Sequence, residues 1–163
     1  MMHPDLALRP MHPGDEALLR RVYAEVRAPE IALTGWEAAS TQAFLRMQFD
    51  AQHVHYQKYY AHARFDIVER AGTPVGRLYV AREAQEIRVV DIALLAQYRK
   101  QGIGSTLLRA LLREAAADGL RVTIHVEENN PAQSLYRRLG FTQVGTHGLY
   151  RLMEWRAASG ETQ

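Results

Sequence analysis

The sequence predicts an α/β (α+β) fold, in which one β-sheet carries helices on both faces. Segments with an apolar period of two alternate with segments of helical period, in the order β-α-α-β-β-β-α-β-α-β-β. Ile87 to Leu95 is almost entirely apolar, as expected for a central strand that is covered on both sides. The length of 163 residues fits a single domain. We expect that domain to span residues 1–156, with a frayed tail over 157–163.

Composition narrows the classes of protein to consider. The chain is 47% hydrophobic with a net charge of +2, and it has no cysteine, which excludes disulfides, thiolate metal sites and a cysteine nucleophile. Its arginines are scattered, which argues against nucleic acid as a partner. Met1 to Asp5 does not read as a secretory signal, and no apolar stretch is long enough to span a membrane. These features together predict a cytoplasmic protein.

The N-terminal half begins with a short strand, Leu6 to Arg9. A first helix follows, and Pro29 is predicted to end it; its apolar positions are Leu18, Leu19, Val22 and Val26. Thr34 and Glu37 have the spacing of a capping box and predict the start of a second, longer helix. The apolar positions of that helix include Phe44, Met47, Ala51 and Val54.

The second half begins with a hairpin, in which strands Phe65 to Arg70 and Pro74 to Arg82 are joined across Ala71-Gly72-Thr73. After the apolar strand comes a third helix, which ends at Asp118-Gly119; its stripe is Ile103, Leu107, Leu108, Leu111, Leu112 and Ala115. The remaining elements are a strand over Arg121 to Val126, a short helix from Pro131 to Gly140, and strands over Phe141 to Val144 and Leu149 to Trp155.

The turn between the apolar strand and the third helix has the features of a phosphate cradle. It reads Tyr98-Arg99-Lys100-Gln101-Gly102-Ile103-Gly104-Ser105. Glycines leave the backbone N–H groups accessible, and the first N–H groups of a helix have no internal partner. The helix dipole and the two basic side chains add positive charge. The pattern predicts a pyrophosphate site.

Two better-known phosphate loops do not fit this turn. A dinucleotide fingerprint needs a third glycine where Leu107 stands, and a Walker loop needs Gly-Lys-Ser/Thr where Gly104-Ser105-Thr106 stands. On this turn alone, a plain strand-to-helix connection without a ligand stays open, because short glycine motifs often match by chance.

A second motif, one strand later, resolves that ambiguity. It runs from Asn129 through Ala132 and Tyr136 to Gly140-Phe141, with the spacing Asn-x-x-Ala-x-x-x-Tyr-x-x-x-Gly-Phe. Together with Arg99-x-x-Gly102-x-Gly104, it resembles the GNAT superfamily of acyl-CoA-dependent N-acyltransferases. The resemblance covers the element order of the whole chain and is sharp from about Ile87 to Phe141.

The resemblance implies a three-layer fold with a mixed, mostly antiparallel sheet of about seven strands and a splayed central strand pair. It implies acetyl-CoA as co-substrate and no metal. The cofactor-binding residues that it implies are Ile92, Ala93, Leu94, Arg99, Lys100, Gln101, Gly102, Ile103, Gly104, Ser105, Asn129, Ala132 and Tyr136.

The chemistry of acyl transfer sets further requirements. A lysine-like amine with a pKa near 10.4 is neutral only about once in 2,500 at pH 7, so a base or a water chain must take its proton. A backbone N–H on the splayed strand, such as that of Leu94, can bind the oxyanion. Tyr136 is the candidate donor to the leaving thiolate; full proton transfer from a tyrosine to a thiol of lower pKa is uphill by roughly 2 kcal/mol.

The identity of the base stays open at this stage. Asp91 is a lone carboxylate in an apolar strand, either a base or the partner of an arginine, a tyrosine or a backbone N–H. Glu86 opens the same strand and is either a base acting through water or a solvated strand end. Arg88 stands where the histone-modifying branch carries its glutamate, so that branch's base assignment does not transfer.

The acceptor is predicted only as a primary amine of a small molecule or a protein. Trp36 lies in the region that forms the acceptor wall in similar proteins and is a candidate substrate contact, with core packing as the alternative. Two other functions stay open: a non-catalytic acyl-CoA-binding module, and an acyltransferase with a different donor or acceptor. The resemblance also allows a homodimer.

Overall fold

The computed structural model describes residues 5–158. The tail predicted over 157–163 and the opening residues Met1 to Pro4 therefore fall largely outside the described residues. The strands are β1 (Leu6–Pro10), β2 (Arg64–Arg70), β3 (Thr73–Arg82), β4 (Glu86–Leu94), β5 (Arg121–Glu127), β6 (Thr142–His147) and β7 (Tyr150–Trp155). The helices are α1 (Glu16–Ala32), α2 (Ala38–Tyr59), α3 (Ile103–Asp118) and α4 (Gln133–Arg138), so the predicted element order is confirmed.

The strands form a single seven-stranded sheet in the order β1-β2-β3-β4-β5-β7-β6. The β4–β5 pair is parallel and the other neighbouring pairs are antiparallel. This confirms the mixed, mostly antiparallel sheet. The apolar strand β4 lies at its centre, between β3 and β5.

Separate apolar cores lie on the two faces of the sheet. The larger core packs α3 and α4 against one face, with Leu107, Leu108 and Tyr136 among its members. The smaller core packs α1 and α2 against the other face and contains Leu19, Tyr23, Phe49 and Ile67. Helices on both faces are thus confirmed, and β3, the strand beside β4, is buried along nearly all its length.

The predicted junction between the first two helices was wrong. Pro29 does not end α1, which continues to Ala32. A proline inside a helix loses one N–H hydrogen bond, yet α1 continues for three more residues. At its end, Thr34 Oγ1 donates to the carbonyl of Ile31 at 2.8 Å. The same oxygen accepts from the N–H of Trp36 at 3.1 Å, so Thr34 closes α1 and does not cap α2. Helix α2 begins after Glu37 without a side-chain cap.

The predicted apolar face of α2 was also wrong. Met47 and Val54 are mostly exposed, whereas Phe49 is buried and Leu45 packs beside it. The helix is turned so that Leu45, Phe49 and Tyr56 meet the sheet, because the two aromatic rings bury more apolar area than Met47 and Val54 would.

Among residues 5–158, no helix is long and apolar enough to cross a membrane.

Candidate active site

The central strands β4 and β5 separate partway along their length. They pair from Glu86 opposite Arg121 to Val89 opposite Ile124, and no further, although both strands continue. The separation starts at a bulge: Val80 of β3 faces Val89, but its neighbour Tyr79 faces Asp91, which leaves one extra residue in β4. A bulge bends its strand, and this one turns β4 away from β5. The splayed pair implied by the resemblance is confirmed.

Gly76 supports the splayed segment from the other side. It lies opposite Leu94 in the β3–β4 ladder. A Cβ at this position would overlap the carbonyl oxygen of Ala93 and the side chain of Leu94. Only a glycine lets β3 approach this closely, so β3 holds the end of β4 in place. Ile92, Ala93 and Leu94 pair with β3 but have no β5 partner, which leaves the other side of this segment facing the gap.

The glycine turn follows directly after this segment. Gly102 is the N-cap of α3 with a φ of 83°, a conformation that favours glycine, and no side chain caps the helix. The first N–H groups of α3 are therefore left for an external acceptor. Gly104 has no such structural need, since a Cβ there would meet only Leu135 Cδ2 at an ordinary 3.7 Å. A glycine that its own fold does not require is expected where a ligand approaches the backbone.

The side chains of the turn have different roles. Arg99 donates from Nε to the carbonyl of Leu94 at 3.1 Å, and its Nη2 is buried without a hydrogen-bond partner among residues 5–158. Lys100 is exposed with a φ of 60°. Gln101 accepts from Arg70 and donates to the carbonyl of Gln97, so its side chain is already engaged. Arg99 is thus the side chain best prepared to bind an anion.

The second motif places Tyr136 on α4, in the same apolar core as Val89 of β4 and Ile124 of β5. Tyr136 is only 5% exposed and packs against Phe141, with 5.8 Å between ring centroids. Burial raises the pKa of Tyr136, and the negative charge of Asp91 adds to the rise. The hydroxyl is therefore a hydrogen-bond donor at neutral pH.

Two other residues of the second motif lie nearby in the chain. Asn129 is exposed at the end of β5, and Ala132 packs on the core at the start of α4.

Asp91 forms an ion pair with Arg77, a residue that the sequence analysis missed. Arg77 of β3 is 4% exposed, and its Nε lies against Oδ2 of Asp91. Its Nη2 donates to Gln52 of α2 at 2.9 Å. This arrangement matches the arginine-paired alternative for Asp91. The signal was present, because an arginine in the otherwise uncharged run Val75–Ala81 must find a partner when it is buried.

Glu86, the other predicted base, lies at the far end of β4. Eight residues of strand separate it from Leu94, which corresponds to about 26 Å. Its carboxylate is bound by Arg121 at 2.8 Å and by Arg88 at 3.2 Å, and it accepts from Thr123 Oγ1 at 2.9 Å. The structure therefore does not bring Glu86 to the gap or to the glycine turn.

The α1 side of the gap, termed the entrance, carries an ion pair. Arg27 of α1 contacts Glu127, at the end of β5, at 3.1 Å, and Tyr150 of β7 stands opposite Glu127. Burial raises the pKa of Tyr150, and the charge of Glu127 contributes. Trp36 is 48% exposed in the connection between α1 and α2 and packs edge-on against Phe44.

Two further polar residues near the gap, Gln133 and His125, could not be predicted from the sequence. Gln133 is buried at the start of α4; its Nε2 donates to the carbonyls of Glu127 at 3.0 Å and Glu128 at 2.6 Å, and so ties α4 to β5. His125 of β5 lies 3.2 Å from Arg88, from Nδ1 to Nη1. Burial lowers the pKa of His125, as does the nearby charge of Arg88. No local sequence pattern marks either residue, because the groups that they contact come together only in the folded protein.

Comparisons with known proteins agree with this geometry. The sequence model of the family described as Acetyltransferase (GNAT) matches residues 19–141. A mycothiol acetyltransferase of Corynebacterium glutamicum (strain R) is 41% identical over 70 residues, which is 42% of this chain and 23% of that protein. An N-alpha-acetyltransferase of Sulfurisphaera tokodaii is 42% identical over 60 residues, 34% of this chain and 35% of that protein. The matched segment thus spans about a quarter to a third of these curated relatives.

Solved structures share the fold at low sequence identity. The PaiA N-acetyltransferase of Thermoplasma acidophilum, solved with coenzyme A, superposes with a TM-score of 0.69 at 17% identity, over 93% of this chain and 99% of that one. Arabidopsis thaliana Naa50, solved with the bisubstrate analogue CoA-Ac-MVNAL, gives 0.62 at 17% identity, over 94% and 99%.

Proposed function

The chain belongs to the Acetyltransferase (GNAT) family, and from that membership we propose that it is an N-acetyltransferase that uses acetyl-CoA and a primary amine. Transfer is direct, in a ternary complex. The observation that carries the proposal is that the β4–β5 gap and the uncapped start of α3 lie at the same end of the sheet. The gap can take the thioester arm while the helix start takes the pyrophosphate.

The residues of the turn fit a coenzyme A diphosphate. The N–H groups at Ile103, Gly104 and Ser105 lie in the uncapped first turn of α3, where the helix dipole favours an anion. The buried Nη2 of Arg99 supplies a charged donor beside them. Ile92, Ala93 and Leu94 would bind the pantetheine arm, and Asn129 would contact it from the end of β5.

The reaction forms a bond between the amine nitrogen and the acetyl carbon and breaks the carbon–sulfur bond. The amine loses a proton, and the departing thiolate gains one. The backbone N–H of Leu94 is proposed to bind the oxyanion. Tyr136 is proposed to donate a hydrogen bond to the sulfur; its raised pKa keeps the proton on the tyrosine until late in the reaction.

The amine proton requires a separate route. Asp91 is held by Arg77, and Glu86 is held by Arg121 at the far end of β4. Both carboxylates are therefore poorly placed to act as the base. We propose that water at the entrance takes the proton, with Asp91 as the alternative acceptor.

The entrance favours an acceptor with an apolar part. Exposed apolar side chains stand on both sides of the Arg27–Glu127 contact: Val26 and Leu33 on the α1 side, and Leu149 and Tyr150 on the β7 side. A polypeptide N-terminus satisfies this requirement better than a small polar metabolite. The name N-alpha-acetyltransferase of a curated relative makes a peptide the first acceptor to test. Trp36 remains a proposed contact for it.

The proposal extends to location and assembly. We propose a cytoplasmic location, because the reaction depends on a metabolic acyl-CoA. A homodimer through the edge strand β6 is proposed, because β6 lies at the end of the sheet and is largely exposed.

The test is thiol release from acetyl-CoA across N-terminal peptides, lysine peptides and small amines, with the acetylated product identified by mass spectrometry. We expect release with at least one class of amine. Tight acetyl-CoA binding without release across the panel would favour a non-catalytic module. Preferential competition by longer acyl-CoAs would favour a different acyl donor.

A further inference from the structure

A cavity of about 230 Å³ lies away from the β4–β5 gap. It is built on β2 and β3, on the face that α3 covers. Beside it, Arg82 pairs with Ile87 in the β3–β4 ladder. Ile87 is seven residues, or about 23 Å, along β4 from Leu94. The apolar walls of the cavity are Leu8, Leu78, Val80 and Leu111, and its polar walls are Arg64, Asp66 and Arg82.

Asp66, one of the lining residues, has a buried carboxylate oxygen that lacks a donor among residues 5–158. Asp66 is 4% exposed. Its Oδ2 accepts from Nε of Arg64 at 2.7 Å, but its Oδ1 is buried without a hydrogen-bond partner among residues 5–158. A buried carboxylate oxygen without a hydrogen bond is unfavourable, so a donor from a bound ligand would stabilise Oδ1 of Asp66.

The charges around the cavity balance. Arg82 is bound by Glu114 of α3 through two hydrogen bonds of 2.6 and 2.9 Å, and Asp66 is paired with Arg64. Arg64 is more than half exposed, and its two Nη atoms make no hydrogen bond within the described part of the chain. A hydrogen-bond acceptor, Oδ1 of Asp66, and two hydrogen-bond donors, the Nη atoms of Arg64, thus belong to neighbouring residues beside the apolar walls of the cavity.

We propose that this cavity binds a small aliphatic α-amino acid. The ammonium group donates to Oδ1 of Asp66, the carboxylate accepts from the Nη atoms of Arg64, and the side chain packs on Leu78, Val80 and Leu111. With Glu114 counted beside Arg82, the charges around the cavity are balanced, which suits a zwitterion better than a lone anion or cation. The volume lies below the roughly 300 Å³ at which drug-sized pockets begin, which limits the ligand to this size. The proposal does not depend on acyl transfer.

Calorimetry on the whole chain, without acetyl-CoA, tests the ligand chemistry. L-leucine is compared with 4-methylpentanoate, which lacks the ammonium group, and with 3-methylbutylamine, which lacks the carboxylate. We expect L-leucine to bind and each analogue to bind at least about tenfold more weakly, because each loses a charged hydrogen bond. No heat with leucine at millimolar concentration, or equal binding of either analogue, overturns the proposal.

Variants test the location. Asp66→Asn keeps the shape of the side chain and removes its charge, and Leu111→Phe fills the cavity without touching the charges. Leu112→Phe is the matched control, because Leu112 is the next residue of α3 and lines a separate recess beside Trp155. We expect leucine binding to fall at least about tenfold in the first two variants and to persist in the control. If both keep wild-type affinity, the amino acid binds elsewhere and the proposal is wrong; if Asp66→Asn fails to fold, Leu111→Phe decides.

Discussion

Arg77 of β3 and Asp91 of β4 form a partly buried ion pair at the point where β4 turns away from β5. Asp91 is the first residue after the bulge, and Arg77 follows Gly76, which presses on the end of β4. The amide of Gln52 ties the same guanidinium to α2. One arginine therefore joins α2, β3 and the splayed segment of β4, which gives the gap a fixed wall.

Removing the charge of Asp91 is expected to destabilise the protein. Asp91→Asn leaves a buried guanidinium without a counter-ion, and we expect a loss of about 3–5 kcal/mol in the free energy of unfolding, measured with urea. Arg77→Met should cost less, because Asp91 is about one-fifth exposed and can be hydrated. Wild-type stability of Asp91→Asn would show that the pair does not hold the gap.

The same variant also separates structure from catalysis. If Asp91 only positions β4, the folded Asp91→Asn protein keeps the acid limb of the kcat/KM profile. Loss of that limb, with kcat/KM reduced at every pH, would instead identify Asp91 as the base.

Tyr136→Phe is expected to lower kcat about 10- to 1,000-fold with little change in KM for acetyl-CoA, because the hydroxyl acts on the departing sulfur. Burial raises the pKa of Tyr136, so its neutral, donating form persists as pH rises past the value of a free tyrosine. We therefore expect no alkaline loss of kcat from this residue below about pH 10. An unchanged kcat in the variant removes Tyr136 from the mechanism.

Arg99→Ala is expected to weaken acetyl-CoA binding by about 1.5–3 kcal/mol, which is roughly 10- to 150-fold in Kd, and to leave kcat nearly unchanged. The reason is that the variant loses a charged hydrogen-bond donor. In the free protein, Nη2 of Arg99 has no hydrogen-bond partner among residues 5–158, so it is available for the diphosphate. Calorimetry gives the Kd. Arg109→Ala is the matched control, since Arg109 is an exposed arginine of α3 beyond the turn. Equal losses in the two variants would point to a general charge effect.

The glycine turn and the second motif could be predicted because their signals are local. Gly102 is needed for its own backbone conformation, and Gly104 lies two positions later in the same turn. The bulge beside Asp91 has no such signal, since it depends on how β4 meets β3. Likewise, α2 has two plausible apolar faces, and contacts with Tyr23 and Ile67, which come from other elements, decide between them.

Asp15 provides a test of acid stability away from the site. Hydrogen bonds from Arg9 lower the pKa of this buried aspartate from 3.8 to about 2. A lowered folded pKa gives stability that is present above 3.8 and is lost as pH falls through about 2. We expect Asp15→Asn to cost about 1–2 kcal/mol at pH 7, allowing for solvent screening, and almost nothing at pH 2.

The control for this variant is Asp50→Asn, which breaks an exposed contact with Arg20. It should change the free energy of unfolding by less than about 1 kcal/mol at either pH. A loss at pH 7 that persists unchanged at pH 2 would mean that the charge of Asp15 is not the source of its effect.

Gly104→Ala separates the needs of the fold from those of the ligand. A methyl group at this position meets only Leu135 at 3.7 Å, so the free protein should gain about 0.4–1 kcal/mol from the loss of glycine flexibility in α3. The same methyl group stands where a diphosphate would approach the backbone, and acetyl-CoA binding should fall at least about tenfold. Gly102→Ala is the contrast, because its φ of 83° makes alanine strained and lowers stability by about 1–2 kcal/mol. A Gly104→Ala protein that is more stable and still binds acetyl-CoA normally would place the diphosphate elsewhere.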